Sequence, residues 1–279
     1  MSKLNFAVKH VKRSGVTRDL PYGREELRWV ANSSTLIYGE RDAILIDTFT
    51  TIDQNDELVE WVRSFGRRLQ AVYITHGHGD HFFGLAQLQR AFPQAELVIA
   101  PAGLPTAAFQ ASDAYVESFW GKLFPGQIPD PIVLPLPLRD ARLDLEGREI
   151  RVIDTGFTDT ENTTSVWVPE IELLVSGDVV YDDTHPYLTE TDAGSRQVWL
   201  TALDTLQELE ATTIVPGHGR LRIVGPEVID DTATYLRDFD AAVGRSADAA
   251  ALFDSMMRKH GNRVNPGSLW GAAKKALQS

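Results

Sequence analysis

Apolar and polar residues alternate along this chain in two rhythms, and their order sketches an α/β protein. Up to about residue 50 the apolar runs are short and strand-like, over 27–31, 35–38 and 43–47. Asn32-Ser33-Ser34 and Gly39 read as breaks between them. From residue 55 to 67 the spacing turns helical, with Leu58, Trp61, Val62 and Phe65 on one face. The uniformly apolar run 69–74 then has the character of a strand buried on both faces. It stops at a polar loop, 75–81, after which the pattern predicts a helix over about 84–92 and a buried strand over 96–100. Strands alternating with helices in this way indicate an α/β fold.

Residues 102–138 break the rhythm. Two helical stretches there carry Phe109, Tyr115, Phe119, Trp120 and Phe124, and a proline-laden connector follows over 125–137. Strands return at 149–154, 164–168 and 172–176, then an amphipathic helix at about 196–210 and a strand at 213–215 that ends in Pro216-Gly217-His218-Gly219. From about 226 the chain reads as helical almost to its end. No Gly/Ser-rich linker divides it, so we expect a single domain over 1–279 with a helical aromatic insertion at 102–138 and a helical C-terminal region at 226–279.

Composition narrows the chemistry. The 279 residues carry 27 basic and 39 acidic side chains, a net charge of −12, which argues against nucleic acid as a partner. The one basic patch, Arg63, Arg67 and Arg68, reads as a solvated helix end. There is no cysteine, which removes disulfides, thiolate nucleophiles and sulfur-ligated zinc. Residues 1–15 have no apolar core of the signal-peptide kind. Apolar runs also fall short of the roughly 20 residues of a membrane helix. The expected setting is cytoplasmic, with no membrane partner.

The loop 75–81, Thr75-His76-Gly77-His78-Gly79-Asp80-His81, follows directly on a buried strand. Three imidazoles and a carboxylate within six residues are costly to bury as neutral groups and repel when protonated. A divalent cation resolves both problems, and a histidine–aspartate set suits zinc, manganese or iron. No Gly-x-Ser-x-Gly elbow and no phosphate-binding glycine loop competes with this reading.

The loop resembles the HxHxDH motif of the metallo-β-lactamase-fold hydrolase superfamily. Further along the chain, the run 43–48 ending in Asp47-Thr48, Ser176-Gly177-Asp178 and Pro216-Gly217-His218-Gly219 resemble its other motifs, in the right order. The resemblance implies a four-layer αββα sandwich of two mixed β-sheets with helices on both outer faces. It places the metal site at the strand ends. One cation would take His76 and His78, the other Asp80, His81 and His218, with Asp178 between them. One or two Zn2+ ions are implied, with Mn2+ or Fe2+ as substitutes. A hydroxide held between two cations would be the nucleophile, oriented by Asp80.

One motif departs from the pattern. In Asp154-Thr155-Gly156-Phe157-Thr158-Asp159-Thr160-Glu161, Phe157 stands where the family has a further histidine. Three readings follow: a single tightly held cation, a compensating ligand from Asp159, Glu161 or His185, or a degenerate site. His185 lies in the loop after Asp178 and is assigned to proton transfer or substrate contact. Phe157, Trp120, Phe124 and Tyr187 are assigned to the substrate pocket, with some aromatic residues of 109–124 serving only as core.

Asp182 and Asp183 read as a solvated turn and His10 and His260 as surface residues. Trp270 reads as an anchor of the last helix or as part of a contact between copies of the chain in a homo-oligomer. The expected function is metal-dependent hydrolysis of an ester, lactone, thioester or amide of a small, apolar-bodied substrate. The alternative is a non-catalytic metal- or ligand-binding protein on the same fold.

Overall fold

The structure is a computed structural model that describes residues 3–12, 31–220 and 222–277. The expected strand at 27–31 lies outside the described residues except for Ala31. In chain order the elements are β1 (Asn5–Lys12), β2 (Ala31–Tyr38), β3 (Asp42–Ile46), α1 (Ile52–Ser64), β4 (Arg68–Ile74), α2 (Gly79–Phe82), α3 (Leu85–Ala91) and β5 (Glu96–Ile99). The insertion supplies α4 (Leu104–Gln110), α5 (Asp113–Tyr115), a π-helical turn (Val116–Trp120), α6 (Gly121–Leu123) and β6 (Leu136–Pro137). Then come β7 (Arg142–Leu145), β8 (Arg148–Gly156), β9 (Thr163–Val168), β10 (Leu173–Tyr181), α7 (Ala193–Gln207), β11 (Thr213–Gly219), α8 (Glu227–Val243), α9 (Ala249–His260) and α10 (Pro266–Leu277).

The strands form one hydrogen-bonded path, β6-β5-β4-β3-β2-β11-β10-β9-β8-β7, with β1 added to β2. β1 runs antiparallel along the whole of β2, so β3 and β11 must share the other edge of β2. β3 takes Thr35 to Tyr38 and β11 takes Ala31 and Asn32. β2 is thus the joint at which the path divides into two sheets. The β3-β4-β5 half is parallel, as crossover helices α1 and α3 require.

Period-two alternation distributes the apolar residues over three buried layers. Leu36, Leu45, Val72 and Ile74 face the helices, packing with Leu58 of α1 and Leu88 of α3. Ile37, Ile44, Ile46 and Tyr73 face the other way and meet Val166, Val168, Leu173, Val175 and Val215 of the second sheet. The outer face of that sheet, with Leu174, Val180 and Ile214, is covered by Trp199, Leu203, Leu236 and Phe239 of α7 and α8. Helix, sheet, sheet, helix is the four-layer arrangement expected, and both sheets end at the same loops.

Several local expectations need correction. Asn32-Ser33-Ser34 is not a break but lies inside β2, because its two buried hydroxyls and the Asn32 amide nitrogen find partners. The Ser33 hydroxyl donates to the carbonyl of Pro216, and Ser34 Oγ donates to the Asp47 carbonyl at 2.7 Å. β10 runs five residues beyond the expected 176, since Val179, Val180 and Tyr181 are buried against the helical layer. Asp182 is not solvated: it is 2% exposed and pairs with Arg222 through two bonds of 2.9 and 2.6 Å. His260 is bound to Asp238 at 2.8 Å rather than free on the surface. Trp270 packs edge-on against Phe253 and anchors the last helix. Among the described residues no helix is long and apolar enough to cross a membrane.

Candidate metal centre

β4 ends at Ile74 and delivers the loop that carries His76 and His78. The short helix α2, opening at Gly79, then turns Asp80 and His81 back toward them. β10 contributes Asp178 and β11 contributes His218. The parallel pairing of β10 with β11 brings Gly177 opposite Pro216, which sets those two side chains side by side. A Cβ on Gly217 would overlap Oδ1 of Asp178, so only glycine lets β11 pass this carboxylate.

Three overlapping groups result, each with ligand atoms within 4.8 Å of one another: His76, His78 and Asp159; His76, His81 and Asp178; and Asp80, His81 and His218. His78 Nδ1 lies 3.0 Å and His76 Nε2 3.7 Å from Asp159 Oδ2. His81 Nε2 faces Asp178 Oδ1 at 3.3 Å, and His218 Nε2 stands 3.3 Å from Asp80 Oδ2 and 3.2 Å from Asp178 Oδ2. His81 Nε2, Asp159 Oδ2 and Asp178 Oδ1 are buried without a partner in hydrogen-bond geometry. They crowd within ion-pair distance of neighbouring site atoms without making a hydrogen bond, as ligands gathered around one space would.

Surrounding groups hold these side chains in place. Asp47 accepts from the Thr75 backbone N–H and Thr75 Oγ1, both at 2.8 Å, and binds His81 Nδ1 at 2.9 Å, which turns His81 Nε2 inward. Tyr181 OH donates to Asp178 Oδ2 at 2.8 Å and Asn32 Nδ2 donates to Asp80 Oδ2 at 3.2 Å. Glu190 reaches in from the loop before α7 to His78 Nε2 at 3.2 Å and accepts from Thr160 Oγ1 at 2.7 Å. Glu190 is not foreseeable from the sequence, since nothing marks it locally. Only the fold brings a residue 112 positions from His78 beside it.

The electrostatics call for added positive charge. Asp47, Asp80, Asp159 and Asp178 are each no more than 8% exposed. Burial draws His78 down, but Asp159 and Glu190 outweigh it and hold the imidazole well above its usual range. His81 is held high in the same way by Asp178 and Asp47, and Asp178 and Asp80 push His218 up to about 9. Burial would raise Asp178, yet His218 and His81 hold its carboxyl well below the usual carboxylate range. His76, buried and beside His81 and His78, is driven well down. Buried carboxylates need counter-charge or metal. Two divalent cations would bring four positive charges to these four carboxylates. The donor set, the orphaned atoms and the charge balance fit such ions.

Beside this cluster opens a cavity of about 220 Å³. His78, Asp80, Asp178 and His218 form its metal-facing side, and Tyr115, Phe119, Trp120 and Leu123 its apolar wall. Tyr187 and His185 line it too. Trp120 Nε1 donates to Gln110 Oε1 at 2.9 Å, and the same oxygen accepts from Gly79 N at 3.3 Å, tying the wall to the metal loop.

Phe124 and Phe157 do not line this cavity. Phe124 lies beneath the wall in the apolar layer of α1 and β4. Phe157, following Gly156 in the left-handed region (φ 66°), lines a separate recess with Pro105, Thr106 and Phe109. Of the three possible substitute ligands, Asp159 alone stands in a group that could hold a metal ion. Glu161 lines the outer recess, and His185 faces the cavity from another side.

The description "Metallo-beta-lactamase superfamily" belongs to a family model that matches residues 27–218. A metallo-beta-lactamase type 2 from Bacillus sp. (strain 170) is 22% identical over 199 residues, covering 69% of this chain and 68% of that protein. A hydroxyacylglutathione hydrolase from Francisella tularensis subsp. novicida is 33% identical over 75 residues, 25% of this chain and 28% of that protein. The crystal structure of a metallo-beta-lactamase family protein from Thermus thermophilus superposes with a TM-score of 0.63 at 18% identity, over 96% of this chain and 91% of its own.

Proposed function

The chain belongs to the metallo-beta-lactamase superfamily, and on that footing we propose that it is a metal-dependent hydrolase of an ester, lactone, thioester or amide bond in a small substrate with an apolar body. The observation that carries this reading is the set of buried, unpartnered donor atoms on His81, Asp159 and Asp178, at the side of an aromatic-walled cavity. A cavity of about 220 Å³ lies below the roughly 300–1,000 Å³ of common ligand sites, which favours a small substrate.

His76, His78 and Asp159 would hold one cation and Asp80, His81 and His218 the other, with Asp178 reaching toward both. Phe157 then leaves no gap, because Asp159 supplies the third donor. Two imidazoles and a carboxylate form a harder set than three imidazoles, so manganese or iron suits that position as well as zinc. When bound, such cations supply a deprotonated water near neutral pH and polarise the scissile carbonyl. The protein's own part is positioning. Asp47 fixes the His81 ring, while Tyr181 and Asn32 orient Asp178 and Asp80. Tyr115, Phe119, Trp120 and Leu123 shield the site from water and hold the apolar part of the substrate.

Hydrolysis of a panel of aryl and alkyl esters, lactones, thioesters and amides, with zinc, manganese or iron added, tests this function. Turnover lost in His81→Ala and in Asp80→Ala is expected. A panel without turnover under every metal would favour the alternative of a binding protein.

A further inference from the structure

The cavity has a second chemical feature on its wall, away from the histidine–aspartate cluster. His185 is 1% exposed and lines the cavity, and its Nε2 is buried without any hydrogen-bond partner. The rest of the residue is fixed. Its backbone N–H donates to the Val264 carbonyl at 3.0 Å, and Arg263 Nη1 donates to the Thr184 carbonyl at 3.1 Å, pinning the loop to the α9–α10 connection. Its Nδ1 meets Tyr235 OH of α8 at 2.8 Å.

That contact decides where the proton sits. Tyr235 is buried, and its hydroxyl has no other hydrogen-bond partner among the described residues. If His185 Nδ1 carried the proton, the Tyr235 O–H would be a buried donor without an acceptor, which costs free energy comparable to a lost hydrogen bond. With Tyr235 donating to Nδ1, the proton lies on Nε2 and faces the cavity. Burial, with Arg263 and His260 nearby, also pushes the imidazole down to about 3, so the ring is neutral near pH 7. A ring held in one neutral form offers a fixed N–H rather than a proton to exchange.

Resting on the hydrolase reading for the identity of the cavity, we propose that His185 is a specificity-determining residue that donates a hydrogen bond from Nε2 to an uncharged acceptor oxygen, carbonyl or ether, of the bound substrate. The setting supports an uncharged acceptor. Glu190, which stands outside the three candidate metal groups, lines the same cavity and opposes a further anion, and Tyr115, Phe119, Trp120 and Leu123 give it an apolar wall. The α10 side of the cavity presents only Gly267, Ser268 and Gly271, so a flat apolar body can lie between that helix and the wall of Phe119 and Trp120.

The test uses the full chain and two probes of one shape, phenylacetone and its methylene isostere (2-methylallyl)benzene, with affinities measured by NMR titration. A neutral hydrogen bond contributes about 0.5–1.5 kcal/mol net, so the ketone should bind about two- to thirteenfold tighter than the alkene. His185→Leu should abolish that preference, and His185→Gln, which keeps an N–H donor, should restore part of it. Long-range 1H–15N correlation on the unaltered protein should place the His185 proton on Nε2, a readout that does not depend on any variant folding. Equal affinities for the two probes, a preference that survives His185→Leu, no saturable binding of either probe, or a proton on Nδ1 would each overturn the proposal. None of these readouts requires turnover, so a failure here is distinct from failure of the hydrolase reading.

Discussion

Asp47 shows how one side chain can set a metal centre it does not itself enter. It sits at φ 60° just past β3, a left-handed backbone that few non-glycine residues adopt, and it commits both carboxylate oxygens to Thr75 and His81. Asp47→Asn keeps the volume but removes an acceptor and a charge. Groups that orient ligand histidines typically matter roughly 10- to 100-fold in metal affinity. We expect a fall of about that size in zinc affinity, measured by competition with a chelating dye. His185 makes a separate prediction through stability. Its native imidazole, pushed down to about 3, stays neutral where the unfolded one, near 6.5, takes up a proton. The unfolded state therefore binds more protons as pH falls below about 6.5, and the stability due to neutral His185 is lost toward about pH 3. Urea unfolding of the native protein and His185→Leu should give a constant difference above about pH 7. Below about 6.5 the native protein should lose roughly 1.4 kcal/mol per pH unit more than the variant. Asp159 and Glu190 mark the limit of what single residues disclose. Asp159 is one of three possible substitutes for the missing histidine, and only the turn after β8 selects it.

At the scale of elements, the site is made by strand ends and by two close passages. Gly177 (φ 54°) and Gly217 let β10 and β11 meet beneath Asp178. Gly217→Ala would put a methyl group into Oδ1 of Asp178, so it should remove metal binding at both positions while the far-ultraviolet circular dichroism stays native. Retained binding in that variant would show that the carboxylate can move aside. The elements also explain which parts of the fold are legible in the chain. β4 and the loop after it are, because a uniformly apolar run stopping in histidines has few other readings. β2 misleads at Asn32-Ser33-Ser34, as polar residues mark a turn unless partners from distant segments satisfy them. β1 and β7 leave no clear sign in the pattern. They are edge strands whose apolar residues, such as Phe6, Val8 and Leu143, become meaningful only when the sheets close on each other.

For the molecule as a whole, four buried carboxylates sit at the junction of two sheets, and the layers around them are bound to the charge that balances them. Removing the cations should therefore loosen more than the site. A ligand held at about a thousand times its Kd stabilises by about 4.1 kcal/mol. For a chain of this size each kcal/mol moves Tm by roughly 2–4 °C, so dialysis against a chelator that strips both cations, about 8.2 kcal/mol together, should lower Tm by roughly 16–33 °C, reversed by zinc. An unchanged melting point would mean that protons on His78, His81 and His218 serve as well as metal.

The most direct test of the account is the number of cations bound per chain, counted by inductively coupled plasma mass spectrometry after equilibrium dialysis against zinc or manganese. Two equivalents in the native protein, one in Asp159→Asn and two in Phe157→Ala are the predicted results. One equivalent in the native protein, unchanged by Asp159→Asn, would contradict the placement of Asp159 as the ligand that replaces the missing histidine.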